Sequence, residues 1–192
     1  VAENEAVLDA AARTLACRGP GATTVDDVAE AAGVSRATVY RYLGGKDEIV
    51  AAVIGRETQH LLEQIEGLVP SAGTPAELIE TIVVAAVDGI DGSPLLHRLN
   101  NEDRRETLPF ITVDGAPLVG LVVQSLRPVM RNNVTFELDP DSVDVALEEA
   151  TRLVLSHLTT PRLDGGRLDS SALGARVAAM VSPLLQRGSS QQ

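Results

Sequence analysis

The stretch "TTVDDVAEAAGVSRATVYRYLGGKDEIV", residues 23–50, decides how this chain is read. Thr24 and Asp27 fit a capping box. In that pattern the threonine oxygen accepts from an amide in the first turn, while the acid reaches back to the cap amide. Val25, Val28, Ala29 and Ala32 then recur at helical spacing and face one way. Gly33 suits a left-handed C-cap, and Ser35 an N-cap two residues later. The pattern predicts two short helices joined by a tight turn, a helix-turn-helix, the second ending near Leu43 before Gly44 and Gly45.

The residue types on the second of these helices suit DNA. In a helix-turn-helix the first helix braces on the backbone and the second offers its N-terminal half to the major groove. Ala37, Val39 and Leu43 divide between core and surface, and Arg36, Thr38, Tyr40, Arg41 and Tyr42 are the polar positions. Arginine reads guanine through two parallel hydrogen bonds, and threonine meets a thymine methyl or a phosphate. A tyrosine hydroxyl donates to a phosphate oxygen while its ring packs on the domain. Arg36 and Thr38 are therefore the candidates for base reading, and Tyr40, Tyr42 and Lys46 for grip. Lys46 opens the next helix, whose first amides also favour a phosphate.

Outward from this stretch the chain stays helical in pattern. Val7, Leu8, Ala11, Ala12, Leu15 and Ala16 make one stripe over residues 3–18, and "RGPGATT" breaks it. A long helix is expected over 46–66, interrupted by "GLVPSAGTP". Further helices are expected over 75–90, 117–131, 141–158 and 170–186, with a short polar segment over 94–107. "LPFITVDGAP" and "RNNVTFELDP" are expected as loops. Pro128 is expected to kink or end its helix, and Pro183 to bend the last one. No alternating run of strand length stands out, so the expected fold class is all-α, with about nine or ten helices.

Composition bounds the function. Aromatics are 2% of the 192 residues and hydrophobic residues 44%, so the core is aliphatic and the chain is not disordered. The formal net charge of −11 works against nucleic acid unless cations are grouped on one face. Lys46 is the sole lysine among the 16 cationic residues. The single cysteine, Cys17, cannot form an internal disulfide and reads as a small buried hydrophobe. No stretch approaches the roughly 20 apolar residues of a membrane span, and no signal peptide is visible. The expected location is the cytoplasm, and the missing initiator methionine suggests an incomplete start. "HRLNNEDRRE" offers His97, Glu102 and Asp103, but in no standard metal-ligand spacing. No enzyme activity, metal or cofactor is expected.

The quoted stretch closely resembles the DNA-binding domain of the TetR family of bacterial transcriptional regulators. The resemblance lies in the threonine-rich cap, the "VAEAAGVS" turn, the "TVYRYL" helix and the Lys-acidic-acidic start of the next helix. It covers about the first fifty residues; the remainder is compatible in length and helical character. It implies a helix-turn-helix domain over 1–46 and a helical ligand-binding and dimerisation domain over 47–192. By position it implies DNA contacts at Thr24, Ser35, Arg36, Thr38, Tyr40, Arg41, Tyr42 and Lys46. Two positions depart from the pattern. Asp26 stands where some members carry a base-reading arginine, and Glu3 and Glu5 stand where a basic arm is common.

The implied protein is a dimeric repressor that binds a pseudo-palindromic operator and is released by a small, largely apolar effector. The helices at 141–158 and 170–186 carry apolar residues on more than one face. Val143, Leu147, Ala150 and Val154 form one stripe, and Leu173, Val177, Met180, Val181, Leu184 and Leu185 a broad arc. One face would meet the subunit's own core and the other a partner. After residue 50 there is neither Trp nor Tyr, only Phe110 and Phe136, which argues against an aromatic cage. His97, Asn100, Asn101, Arg104, Phe110, Gln124 and Arg127 are the candidates to contact the effector. The alternative is a helical ligand-binding or interaction module that has lost specific DNA binding.

Overall fold

Aliphatic residues at helical spacing fold here into helices: ten α-helices and no strand among the residues described, 2–68, 73–132 and 137–185 of a computed structural model. Residues 69–72 of the expected interruption, Phe136 and the expected helix end at residue 186 lie outside the described residues. Packing groups the chain into two compact units, residues 1–57 with 91–114, and residues 58–90 with 115–192.

The first unit holds α1 (Ala2–Ala22), α2 (Val25–Ala32), α3 (Arg36–Leu43), the start of α4 (Lys46–Leu68), α6 (Pro94–Asn101) and α7 (Arg104–Ile111). Val7, Ala10, Ala11 and Leu15 of α1 are buried, as their spacing requires, and α1 packs on α2 and α6. The break expected at "RGPGATT" is a kink inside α1: Gly19 sits at φ 75° and ψ 161°, and one more helical turn follows. A side chain on Gly19 would collide with the Asp103 carboxylate. Arg98 holds the same place from α6, donating to the carbonyls of Ala16 and Cys17 and to Asp103. Cys17 is exposed rather than buried, because the buried stripe of α1 runs through Thr14 and Leu15 instead.

The second unit holds the rest of α4, then α5 (Pro75–Gly92), α8 (Ala116–Asn132), α9 (Pro140–Thr159) and α10 (Ser170–Val181), closed by a 3-10 turn at Ser182–Leu184. Its core is aliphatic: Leu62, Ile65, Ile79, Ile82, Val83, Leu126, Val143, Leu147 and Val177 meet around Met130. Arg127 of α8 grips Asp144 of α9 through two hydrogen bonds of 2.6 Å.

Three expectations about proline and loops need correction or narrowing. "LPFITVDGAP" is not all loop, since α7 runs to Ile111 with Pro109 inside it. Of the two outcomes expected at Pro128, a kink or an end, the end is excluded: α8 continues to Asn132. Both prolines are exposed and lie toward the C-terminal ends of their helices, where each removes one hydrogen bond to the carbonyl four residues earlier without ending the helix. The last helix stops at Val181, and Pro183 lies in the 3-10 turn that follows.

Candidate nucleic-acid interface

The local chemistry of residues 24–46 is as the residue types require. The Thr24 side chain accepts from the Asp27 amide at 3.2 Å, and Asp27 Oδ2 accepts from the Thr24 amide at 2.9 Å, closing the capping box of α2. Hydrogen bonds from Thr24, and secondarily Arg18, hold the Asp27 carboxyl below its ordinary value. Gly33 ends α2 at φ 66° and ψ 30°, the left-handed conformation that an L side chain resists. Ser35 then caps α3, its oxygen accepting from the Thr38 amide at 3.1 Å. The Ser35 and Thr38 hydroxyls lie 2.9 Å apart.

Val39 is the one buried residue of α3. Around that anchor Arg36, Ala37, Tyr40 and Arg41 are exposed, and Thr38, Tyr42 and Leu43 are half-buried. A single apolar pin leaves the rest of the helix surface available to a partner.

The cations of this face are not idle. Arg36 Nη1 donates to Asp26 Oδ2 at 3.2 Å, its Nη2 donates to the Tyr40 hydroxyl at 3.3 Å, and the guanidinium lies 5.5 Å from the Tyr40 ring centre. The Tyr40 hydroxyl first, then Asp26, hold the Arg36 proton more firmly than usual. Arg41 stacks 4.6 Å from the Tyr42 ring centre. The Tyr42 hydroxyl donates to Glu3 Oε2 at 2.7 Å, and Lys46 Nζ donates to the Gly21 carbonyl at 2.9 Å. Asp26 and Glu3, the two departures from the expected pattern, thus occupy a base-reading candidate and a gripping candidate. Sequence reasoning missed both acceptors, because neither lies on α3.

The seven effector candidates are divided between the two units. His97, Asn100, Asn101, Arg104 and Phe110 belong to the first unit, and Gln124 and Arg127 to the second. His97 is exposed and lies 3.7 Å from Asp91, Asn101 donates to the His97 carbonyl at 3.0 Å, and Gln124 is exposed. Arg104 and Phe110 are half-buried, and Arg127 is held by Asp144. Asn100 differs: it is 7% exposed, and its Nδ2 has no hydrogen-bond partner among the described residues.

A capped bracing helix, a left-handed glycine turn and an outward-facing second helix define a helix-turn-helix DNA-binding protein. The comparisons narrow that class. The model of the bacterial regulatory proteins of the tetR family matches residues 7–53, and that of the bacterial tetracyclin repressor C-terminal domain matches residues 76–183. The chain belongs to the TetR family of bacterial transcriptional regulators, which are not enzymes. It is 29% identical over 181 residues to the uncharacterized HTH-type transcriptional regulator Rv1255c of Mycobacterium tuberculosis, covering 93% of this chain and 83% of that protein. With the HTH-type transcriptional regulator BetI of Brucella canis it shares 36% identity over 77 residues, 40% of this chain and 39% of that protein. The fold is shared with the TetR family repressor AlkX of a Dietzia strain: TM-score 0.73 at 21% identity, covering 94% of this chain and 93% of that one. The R. erythropolis repressor QsdR gives a TM-score of 0.68 at 22% identity, with 93% and 94% covered. No single helix among the described residues is long and apolar enough to cross a membrane.

Proposed function

We propose that the chain is a cytoplasmic repressor that binds a pseudo-palindromic operator as a dimer and is released by a small, largely apolar effector. In this reading residues 1–46 meet DNA, and residues 47–192 carry effector binding and dimerisation. The observation that carries it is α3: one buried residue, Val39, with Arg36, Tyr40 and Arg41 turned outward. Arg36 and Thr38 read bases, and Tyr40, Tyr42 and Lys46 hold phosphates, with Thr24, Ser35 and Arg41 at the edges. DNA then replaces the protein's own acceptors: a phosphate takes the place of Glu3 at Tyr42 and of the Gly21 carbonyl at Lys46.

Dimerisation is supported by apolar side chains left outside on the last helices. Val145 of α9 and Met180 of α10 are half exposed, and Leu184 follows them. Asn100, with its unpaired buried donor, is the best placed of the seven candidates to orient a polar atom of an effector.

Gel shift with DNA from upstream of the protein's own gene, at two salt concentrations, tests the reading. A sequence-specific shift that weakens steeply with salt is expected. Tyr40→Phe should weaken binding to specific and random DNA alike. A chain that gives no sequence-specific shift would instead be a helical ligand-binding module.

A further inference from the structure

Within the second unit, α4 and α5 bound a groove of about 780 Å³, a volume in the range of small-molecule sites. Its apolar wall on α4 is Leu61, Ile65 and Leu68, which recur at i, i+4 and i+7 and so share one face. At one end the two helices touch, since a side chain on Gly89 would collide with Leu61. Toward the other end Leu68 stands 66% exposed.

The facing wall on α5 alternates in a specific way. Glu80, Val84 and Asp88 follow at i, i+4 and i+8, acid, apolar, acid, along one side of α5, where Gly174 of α10 packs against Val84 and Glu80 and leaves both half-buried. Neither Glu80 nor Asp88 has a hydrogen-bond or ion-pair partner among the described residues. Glu77 also lines the groove, but it is engaged, accepting from the Thr74 amide at 2.8 Å. Among the described residues no Lys, Arg or His lines the groove. Two carboxylates with no partner among the described residues therefore flank a strip of hydrocarbon. Eight residues of helix separate them by about 12 Å along the axis.

We propose that this groove binds an elongated aliphatic dication, an α,ω-diammonium whose charges meet Glu80 and Asp88 while its hydrocarbon chain lies on Leu61, Ile65 and Val84. The chain keeps the largely apolar body expected of an effector, and the carboxylates recognise its ends where no aromatic cage exists. None of the seven effector candidates lines this groove. As an effector site the proposal rests on the repressor reading; as a binding site it rests on the groove alone.

Titration calorimetry on the full chain at low salt, with octane-1,8-diammonium as probe, tests it. The probe should bind about tenfold more tightly than octylammonium, which lacks the second charge, and than butane-1,4-diammonium, whose charges are too close. Glu80→Gln and Asp88→Asn should each lower its affinity by about tenfold. The paired variant Asp114→Asn/Glu149→Gln removes two exposed carboxylates elsewhere and should leave the affinity unchanged. Equal binding of octylammonium, or no loss in Glu80→Gln and Asp88→Asn, overturns the proposal. An equal loss in the paired control also overturns it, since a chain of net charge −11 attracts any dication weakly. The readout involves the protein alone, so failure to bind operator DNA would refute the repressor reading without touching this result.

Discussion

Two helical hairpins carry this protein's chemistry, and they are built on opposite principles. The α2–α3 hairpin is short, eight residues on each side, and its turn is set locally by Thr24, Asp27, Gly33 and Ser35. The α4–α5 hairpin joins helices of 23 and 18 residues, and its geometry depends on which side chains meet along them, such as Leu61 against Gly89. In the first, Arg36 is paired with Asp26 and the Tyr40 hydroxyl, and Arg41 stacks on Tyr42. In the second, Glu80 and Asp88 have no partner among the described residues. Local caps place a surface to within a turn of helix, whereas long-range packing decides what space is left between helices.

The contrast can be broken at its strongest point. Val39→Asp should cost about 4 kcal/mol in denaturant unfolding, because it buries an unpaired carboxylate at the only pin of α3. A loss under about 1 kcal/mol would mean that α3 is held by something other than Val39. In the long hairpin, Ile65→Ala removes a side chain that is 1% exposed and should cost about 3 kcal/mol. Because Ile65 shares its core with many neighbours, that loss should leave the α2–α3 turn intact, visible as unchanged amide-exchange protection at Val34.

Smaller effects sharpen the comparison. Gly33→Val should cost about 1–2 kcal/mol. A side chain at Gly33 would meet nothing within 4 Å, so the cost is purely the left-handed backbone, and a thermal melt reads it directly. Thr24→Ala should cost about 1 kcal/mol through loss of the cap.

The capping box also predicts a pH effect of definite sign. The folded Asp27 carboxyl is held below its ordinary value, so its stabilisation is present at neutral pH. That stabilisation is lost as pH falls from about 4 through the folded value. The difference in unfolding midpoint between wild type and Asp27→Asn should therefore narrow on acidification. A constant difference would show that Asp27 acts without its charge.

These two hairpins also mark what the sequence discloses. Helix class, the capping box, the left-handed Gly33 and the Ser35 cap were all legible, since each depends on residues within a turn of one another. The acceptors were not. Tyr42 meets Glu3, Lys46 meets the Gly21 carbonyl, and Arg98 meets the carbonyls of Ala16 and Cys17, all brought together by packing rather than spacing. Pro128 misled for a related reason: proline removes one helix hydrogen bond, but the remaining bonds and the packing of α8 carry the helix on to Asn132. The groove was hidden because Glu80, Val84 and Asp88 read as an ordinary half-exposed helix face until α4 is set opposite them.

In the proposed repressor, α3 reads bases through Arg36. This role is tested most directly by measuring wild-type and Arg36→Ala affinities for an operator and for variants with each base pair replaced in turn. The account predicts that Arg36→Ala flattens the preference at one or two positions by about 1–3 kcal/mol while the remaining positions keep theirs. An Arg36→Ala protein that binds more weakly to every sequence by the same factor, with preference intact at each position, would contradict it.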